Sequence, residues 1–267
     1  MLLNSLVELD RAHLIHPVAS YRGHEKAGVR VLASGKGARV RDAAGHELVD
    51  GFAGLWCVNA GYGQDKIIEA AARQLRELPY ATGYFGLGSE PAIRLASELA
   101  DRAPGDLNHV YFTLGGSDAV DSTVRFIRYY HHSLGKPEKD QFISVMSGYH
   151  GSSTVGAGLT ALPVFHAGFG LPFDWQHTIP THYSYRNPVG TEARAIIDAS
   201  VAALRAKVEE LGAERVAAFY VEPIQGSGGV LVPPDGWVKA MRDTCRELDI
   251  LFLSLIHISE PTRRYAI

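Results

Sequence analysis

The stretch Val110-Tyr111-Phe112-Thr113-Leu114-Gly115-Gly116-Ser117-Asp118-Ala119 sets the fold class, because an apolar, β-forming run passes through two glycines straight into a helical pattern. It predicts a strand over 110–114 and a helix from Asp118 to about Ser133, ended by Gly135 and Pro137. A second strand is expected over 142–146, which completes a strand–helix–strand unit.

Downstream lies a segment from about Gly148 to Gly190, rich in Gly, Pro, His and aromatics, which reads as a long loop. Because a structureless loop of roughly forty residues is unusual in a compact domain, it is expected to be functional or to pack against a partner subunit. A helix follows with Ile197, Val201, Leu204, Val208 and Leu211 on one face, then a strand over 216–221. After a glycine-rich turn come a helix carrying Trp237, Met241, Cys245 and Leu248 and a strand over 250–253. Upstream, residues 29–51 alternate apolar and polar side chains around turn glycines, which predicts a small antiparallel meander. Helical stripes follow at Ile67, Ile68, Ala71, Leu75 and Leu78, and at Ala92, Leu95, Ala96 and Leu99. Strands alternating with helices imply an α/β fold with a mainly parallel sheet covered on both faces, whose ligands bind at the carboxyl ends of the strands.

Composition narrows the function. With 267 residues, 46% hydrophobic and 21% charged, the chain can bury a sizeable core and shows no sign of disorder. The net charge of −3 comes without a basic cluster, so no nucleic-acid partner is expected. Cys57 and Cys245 are too far apart to suggest a disulfide framework and fit a reducing compartment. The start Met1-Leu2-Leu3 does not read as a signal peptide, and no stretch is apolar enough to span a bilayer, so a soluble cytoplasmic protein with no membrane partner is expected. Among twelve histidines, His131 and His132 are adjacent and point apart on a helix, and no other cluster shows ligand spacing, so no metal site is expected. Gly-x-Ser-x-Gly frames neither Ser117 nor Ser227, and no Gly-x-Gly-x-x-Gly follows Leu114 or Val221, which argues against a serine hydrolase and a nicotinamide enzyme.

Three strand ends carry candidate chemistry. Gly115-Gly116-Ser117-Asp118 offers small residues, a hydroxyl and free N–H groups at a helix start, an anion site, although Ser117 as a plain N-cap is an equal reading. Asp118 sits awkwardly beside a phosphate and must point elsewhere. Gly148-Tyr149-His150-Gly151 sets a ring and an imidazole between glycines, suited to stacking on a planar cofactor or to a tight turn with Tyr149 as a core plug. Glu222 directly follows an apolar strand, where a buried acid is costly unless partnered. Together the three describe a site for a charged, planar, phosphorylated cofactor.

Five runs in order carry a resemblance: 50–63 (Asp50-Gly51-Phe52 through Gly61-Tyr62-Gly63, with Leu55-Trp56), Leu78-Pro79-Tyr80, Gly115 through Asp121, Gly148-Tyr149-His150-Gly151 and Glu222-Pro223-Ile224-Gln225-Gly226. Over about 14–253 the chain resembles class III pyridoxal-phosphate aminotransferases, nearest in flavour to ω-transaminases of the β-alanine–pyruvate type. The resemblance implies part of a fold-type I large domain over 64–253, an N-terminal segment over 1–63 with a helix and the meander, and a non-family tail over 254–267. It implies pyridoxal 5'-phosphate as cofactor, held by Gly116, Ser117 and Asp118 at the phosphate, with Tyr149 stacked on the ring, His150 beside it and Glu222 close by. Leu55 and Trp56 would line the substrate pocket, and Tyr84 and Phe85 would close that of the neighbouring chain in a homodimer. The implied reaction moves an amino group from an amine or a β- or ω-amino acid donor to pyruvate or a similar oxo acid.

The chain also departs from the family. Leu255 stands where the family has the aspartate that holds the pyridine nitrogen. The Schiff-base lysine has no counterpart among Lys26, Lys36, Lys66, Lys136, Lys139, Lys207 and Lys239, each of which reads as lying in a polar loop or on a polar helix face. No catalytic residue is therefore assigned, the tail from Ser254 on reads as foreign, from a frameshift, a mis-assembled gene or translated vector or adapter sequence, and the chain as written is expected to be inactive. The alternatives are a non-catalytic fragment with at most weak cofactor binding, and a racemase or aminomutase of the same family.

Overall fold

The computed structural model describes residues 3–255, which divide between Leu95 and Ala96 into two units. In the first, helices α1 (Leu3–His13) and α2 (Tyr21–Ala27) precede strands β1 (Leu32–Lys36), β2 (Arg39–Asp42) and β3 (Glu47–Val49). The strands pair antiparallel in the order β1-β2-β3, the meander the alternation predicts. Asp42 sets the β2–β3 turn: its Oδ1 accepts from the N–H groups of Ala44 (3.0 Å) and His46 (2.8 Å), a local side-chain-to-backbone closure typical of Asp. Next comes α3 (Ala53–Trp56), a left-handed turn in which φ is 48° at Ala53, 58° at Gly54, 61° at Leu55 and 69° at Trp56. Left-handed non-glycine residues cost roughly 1–2 kcal/mol each, so the turn needs an anchor. Asp50 provides it, accepting from Phe52 N (3.1 Å), Gly54 N (2.8 Å) and Tyr62 Oη (2.7 Å). Helices α4 (Asp65–Glu77) and α5 (Glu90–Ala100) match the two predicted stripes.

The second unit contains α6 (Gly116–Ser133), β4 (Gln141–Val145), α7 (Thr154–Leu159), β5 (Gln176–Ile179), α8 (Ala193–Leu211), β6 (Val216–Val221), α9 (Trp237–Glu247) and β7 (Leu251–Ser254). The four strands form one parallel sheet in the order β5-β4-β6-β7. Leu204 and Val208 of α8 and Trp237, Met241 and Cys245 of α9 cover one face, against Ile143, Val145, Phe219 and Val221. Val120, Val124 and Ile127 of α6 and Leu159 of α7 cover the other, against Phe142, Ala218 and Tyr220. Cover on both faces is why β4 and β6 are buried at every residue and read as continuous apolar runs.

Two expectations are corrected. Residues 110–114 do not form a strand: Tyr111 and Phe112 are exposed and Leu114 is fully so, and no strand among the described residues lies beside them. Apolar β-formers become a strand only when a neighbour supplies the ladder, and without one their backbone groups stay hydrated. The 148–190 segment is not a structureless loop, since it holds α7 and β5 and makes the β4–α7–β5 crossover. Both elements are too short for a periodicity to show, and α7 (Thr-Val-Gly-Ala-Gly-Leu) carries two helix-weakening glycines. The tail from Ile256 on, read above as foreign, lies outside the described residues.

The two thiols differ sharply. Cys57 is exposed, whereas Cys245 is fully buried and burial pushes its thiol up to about 12. A thiol reagent is expected to label a single cysteine in the native chain and the second only after unfolding. Rapid labelling of both in native buffer would contradict the placement of α9 against the sheet.

Candidate functional site

The chain leaves β4 toward α7 on one face of the sheet and leaves β6 toward α9 on the other. Adjacent parallel strands whose connections diverge open a crevice at their carboxyl ends, the place where such sheets bind ligands. Two of the candidate runs follow β4 and β6 directly.

Glu222, 1% exposed, is where they join. Its Oε1 accepts from Tyr149 N (2.6 Å) and its Oε2 from Gly226 N (2.9 Å), so the buried acid has the partners its burial requires. Gly148 is a glycine because a Cβ there would stand 2.8 Å from Val145 O and 3.5 Å from Glu222 Oε1. Gln225, also 1% exposed, extends the tie: its Nε2 donates to Met146 O (2.9 Å) and its Oε1 accepts from Thr181 Oγ1 (2.8 Å). The ends of β4, β5 and β6 are thus held together by two side chains three positions apart in sequence, Glu222 and Gln225, of which the sequence analysis weighed only Glu222.

The same loop reaches the start of α6. Ser152 N donates to Ser117 Oγ (3.1 Å), and Gly151, at φ 120°, approaches so closely that a Cβ would fall 2.9 Å from Ser117 Oγ and 3.1 Å from Ser117 Cα. The N-cap of α6 is Gly115, which has no capping side chain. Ser117 lies inside the first turn, so the reading of Ser117 as a plain N-cap fails. Its hydroxyl braces the 148–152 loop instead, and the first-turn N–H groups emerge at exposed Gly115 and Gly116, where the positive helix end favours an anion. Asp118 is exposed on the first turn. Asp121, one turn on, accepts from Ser153 Oγ (2.7 Å) and Gly156 N (3.2 Å), fastening α6 to the start of α7. Neither Asp121 nor Gly151's close approach carried a sequence signal beyond its residue type.

Tyr149 is half-buried, its ring 5.5 Å from that of Phe165, so it is not a core plug. His150 is 2% exposed, with its N–H donated to Thr160 Oγ1 (2.8 Å) and its ring 6.2 Å from Tyr220. Leu255, just past β7, donates its N–H to Val221 O (2.7 Å) and packs its side chain toward the cluster around Tyr220. In the first unit, the left-handed α3 turn presents Leu55 (66% exposed) and Trp56 (38%), and Tyr84 and Phe85 sit as a tilted ring pair at 6.0 Å, both exposed.

One lysine departs from expectation. Lys139, in the polar link between α6 and β4, is 4% exposed rather than solvated, and its Nζ is taken by the carbonyl and carboxylate of Asp249. Both residues precede their strands, β4 and β7, so this lysine lies at the amino edge, about 16 Å along five strand residues from the crevice. Lys136, Lys207 and Lys239 pair with Asp249, Glu210 and Asp243, and Lys26, Lys36 and Lys66 are exposed in the first unit.

His182, which follows β5, is fully buried against Trp237 (ring centroids 4.5 Å apart), with no hydrogen-bond partner for either ring nitrogen among the described residues. Burial lowers its pKa from 6.5 to about 4. The neutral ring is the folded form, so its contribution is complete above pH 6.5 and is lost as pH falls toward 4. At pH 5 the loss is about 2 kcal/mol. His131 and His177, also lowered by burial, act with the same sign. Urea unfolding at pH 7.5 and pH 5 is expected to show the fall, and His182→Leu to remove the larger part of it; an equal fall in both proteins would refute the assignment.

A family model described as Aminotransferase class-III matches residues 21–254. The putrescine–pyruvate aminotransferase of Pseudomonas aeruginosa is 37% identical over 248 residues, covering 92% of this chain and 54% of that protein. The diaminobutyrate–2-oxoglutarate transaminase of Halomonas elongata is 36% identical over 254 residues, covering 93% and 54%. Among solved structures, an (S)-enantioselective ω-transaminase from Thermomicrobium roseum superposes with a TM-score of 0.91 at 36% identity, covering 94% of this chain and 56% of that one. The ω-transaminase from Pseudomonas jessenii, in complex with PMP, gives 0.91 at 34% identity, covering 93% and 55%. The chain therefore spans about half the length of these relatives.

Proposed function

Because the chain belongs to the class-III aminotransferase family, which depends on pyridoxal 5'-phosphate, we propose that its strand-end loops are the cofactor cradle of a transaminase. The observation that carries this is the continuous tie Gly226–Glu222–Tyr149 and Ser152–Ser117, which joins the three candidate motifs into one crevice rim. When bound, the cofactor supplies a carrier for the amino group and an electron sink. The chain's own residues do the holding. The first-turn N–H groups at Gly116, Ser117 and Asp118, with the Ser117 hydroxyl, receive the phosphate, and Asp118 turns its carboxylate to solvent. Tyr149 covers the ring, His150 backs it, and Glu222 fixes the loop that carries both.

Leu55 and Trp56 form a wall of the substrate pocket, and Tyr84 and Phe85 close the pocket of the second subunit of a cytoplasmic homodimer. The donor is an amine or a β- or ω-amino acid and the acceptor pyruvate or a similar oxo acid, in keeping with the substrates named for the Pseudomonas and Halomonas relatives.

This chain on its own is a holder rather than a catalyst. Its seven lysines are exposed, paired with carboxylates, or at the amino edge of the sheet, and Leu255 offers the crevice no acid for the pyridine nitrogen. Incubated with pyridoxal 5'-phosphate, putrescine and pyruvate, it is expected to form no alanine above a protein-free control. Sustained alanine formation would overturn the holder reading.

A further inference from the structure

Away from the strand ends, three side chains converge in the N-terminal unit. Asp10 projects from α1, His16 from the link after it and His24 from α2. Asp10 Oδ1 lies 2.8 Å from His16 Nε2 and Oδ2 lies 2.7 Å from His24 Nε2, while the two rings stand 4.5 Å apart at 45°. One ligand atom from each lies within 4.8 Å of the others. The side chains are sheltered, at 9% exposure for Asp10 and 13% for His24, and the site opens on the His16 side at 28%. Burial raises the Asp10 carboxyl, but the hydrogen bonds from both imidazoles outweigh it and hold the group below its usual value, so it is ionised.

We propose that Asp10, His16 and His24 form a three-ligand site for a divalent transition-metal ion, with zinc as the reference ion. Two imidazoles and a carboxylate are the donor set that zinc and its neighbours take when water fills the remaining position. Without metal, each imidazole donates its Nε2–H to a carboxylate oxygen. With metal, the ring proton moves to Nδ1, the freed Nε2 lone pairs turn to the ion, and one carboxylate oxygen completes the set. Donors about 2.0–2.2 Å from a tetrahedral ion stand roughly 3.3 Å apart, so the present 2.7–2.8 Å contacts must open by about half an ångström, a side-chain adjustment. The ion would clamp α1 and the following link to α2. The sequence hid this site because its ligands are 6 and 8 residues apart on three segments, a spacing no helix or hairpin brings together.

The test is titration of the untagged full chain with Co²⁺, read by its visible ligand-field bands, followed by displacement with Zn²⁺. A single saturable equivalent with the intense bands of a four-coordinate ion is expected. His16→Ala, in the link, and the size-conserving Asp10→Asn and His24→Gln should each weaken binding by at least the ~10–100-fold that even an outer partner of a metal site contributes. His109→Ala, an exposed histidine elsewhere, should leave it unchanged. Circular dichroism of every variant separates ligand loss from unfolding. Absence of saturable binding in the parent, or binding that survives His16→Ala and Asp10→Asn, would show that the three residues form a hydrogen-bonded Asp–His–His cluster only.

Discussion

Glu222→Ala is expected to destabilise the second unit by about 1–3 kcal/mol, because it strips two part-buried N–H groups of a charged acceptor, each hydrogen bond contributing less than the ~1.5–3 kcal/mol of a fully buried one. Those donors are Tyr149 N and Gly226 N, one on each side of the crevice, so the loss also frees the two loops from each other. A buried carboxylate is often costly enough that removing it stabilises a protein. Here the two donors decide the sign, since an alanine removes the carboxylate that both of them reach. Glu222→Gln is expected to recover roughly half of the loss, for its amide oxygen can accept from only one of the two N–H groups while its NH₂ faces the other. Urea midpoints at constant slope measure both effects. An alanine variant within about 0.5 kcal/mol of the parent, the usual range of a surface change, would remove Glu222 from its structural role.

The second large effect is expected at Gly151→Ala. The residue sits at φ 120°, where a side chain costs about 1–3 kcal/mol in backbone strain alone. Its new methyl would also fall 2.9 Å from Ser117 Oγ and 3.1 Å from Ser117 Cα, and the second of these is backbone at a helix start, which cannot swing aside. The Ser152–Ser117 hydrogen bond then opens and the 148–152 loop moves off the start of α6. Gly168→Ala separates the two causes: it shares a positive φ of 82° but has open space around it, so it carries only the strain. Gly151→Ala should therefore lose more stability than Gly168→Ala and should alone lose anion binding. Equal effects of the two would mean that the close approach to α6 contributes nothing.

What the sequence made legible follows from where its signals are physical. Strands β4, β6 and β7 and helices α4, α5, α6, α8 and α9 were readable because each is long enough, or buried enough, for its apolar period to stand out. The Gly148–Gly151 and Glu222–Gly226 turns after β4 and β6, and the helix start at Gly115–Ser117, were readable because glycines punctuate the apolar pattern there. Residues 110–114 misled because β-propensity describes a side chain's fit to a sheet and says nothing of whether a neighbouring strand is there. Strand β5 and helix α7 were missed because four and six residues show no period. Lys139 looked solvated because charge in a sequence carries no mark of burial, and Asp249, its partner, is 110 residues away. Gln225, Asp121 and the Asp10–His16–His24 cluster belong to the same class: their roles lie in contacts between distant segments, which composition and spacing do not record.

In the proposed function, the helix start at Gly116–Ser117 and the loop ending at Gly151–Ser152 form a phosphate-directed cofactor cradle. Its most direct test compares pyridoxamine 5'-phosphate with pyridoxamine for binding to the full chain by calorimetry, since neither can condense with lysine and they differ only in the phosphate. Two charge-assisted hydrogen bonds at about 1.5–3 kcal/mol each predict at least a tenfold tighter binding of the phosphorylated ligand, abolished in Gly151→Ala and kept in Gly168→Ala. Equal affinity for the two ligands, or a phosphate preference that survives Gly151→Ala, would contradict the account.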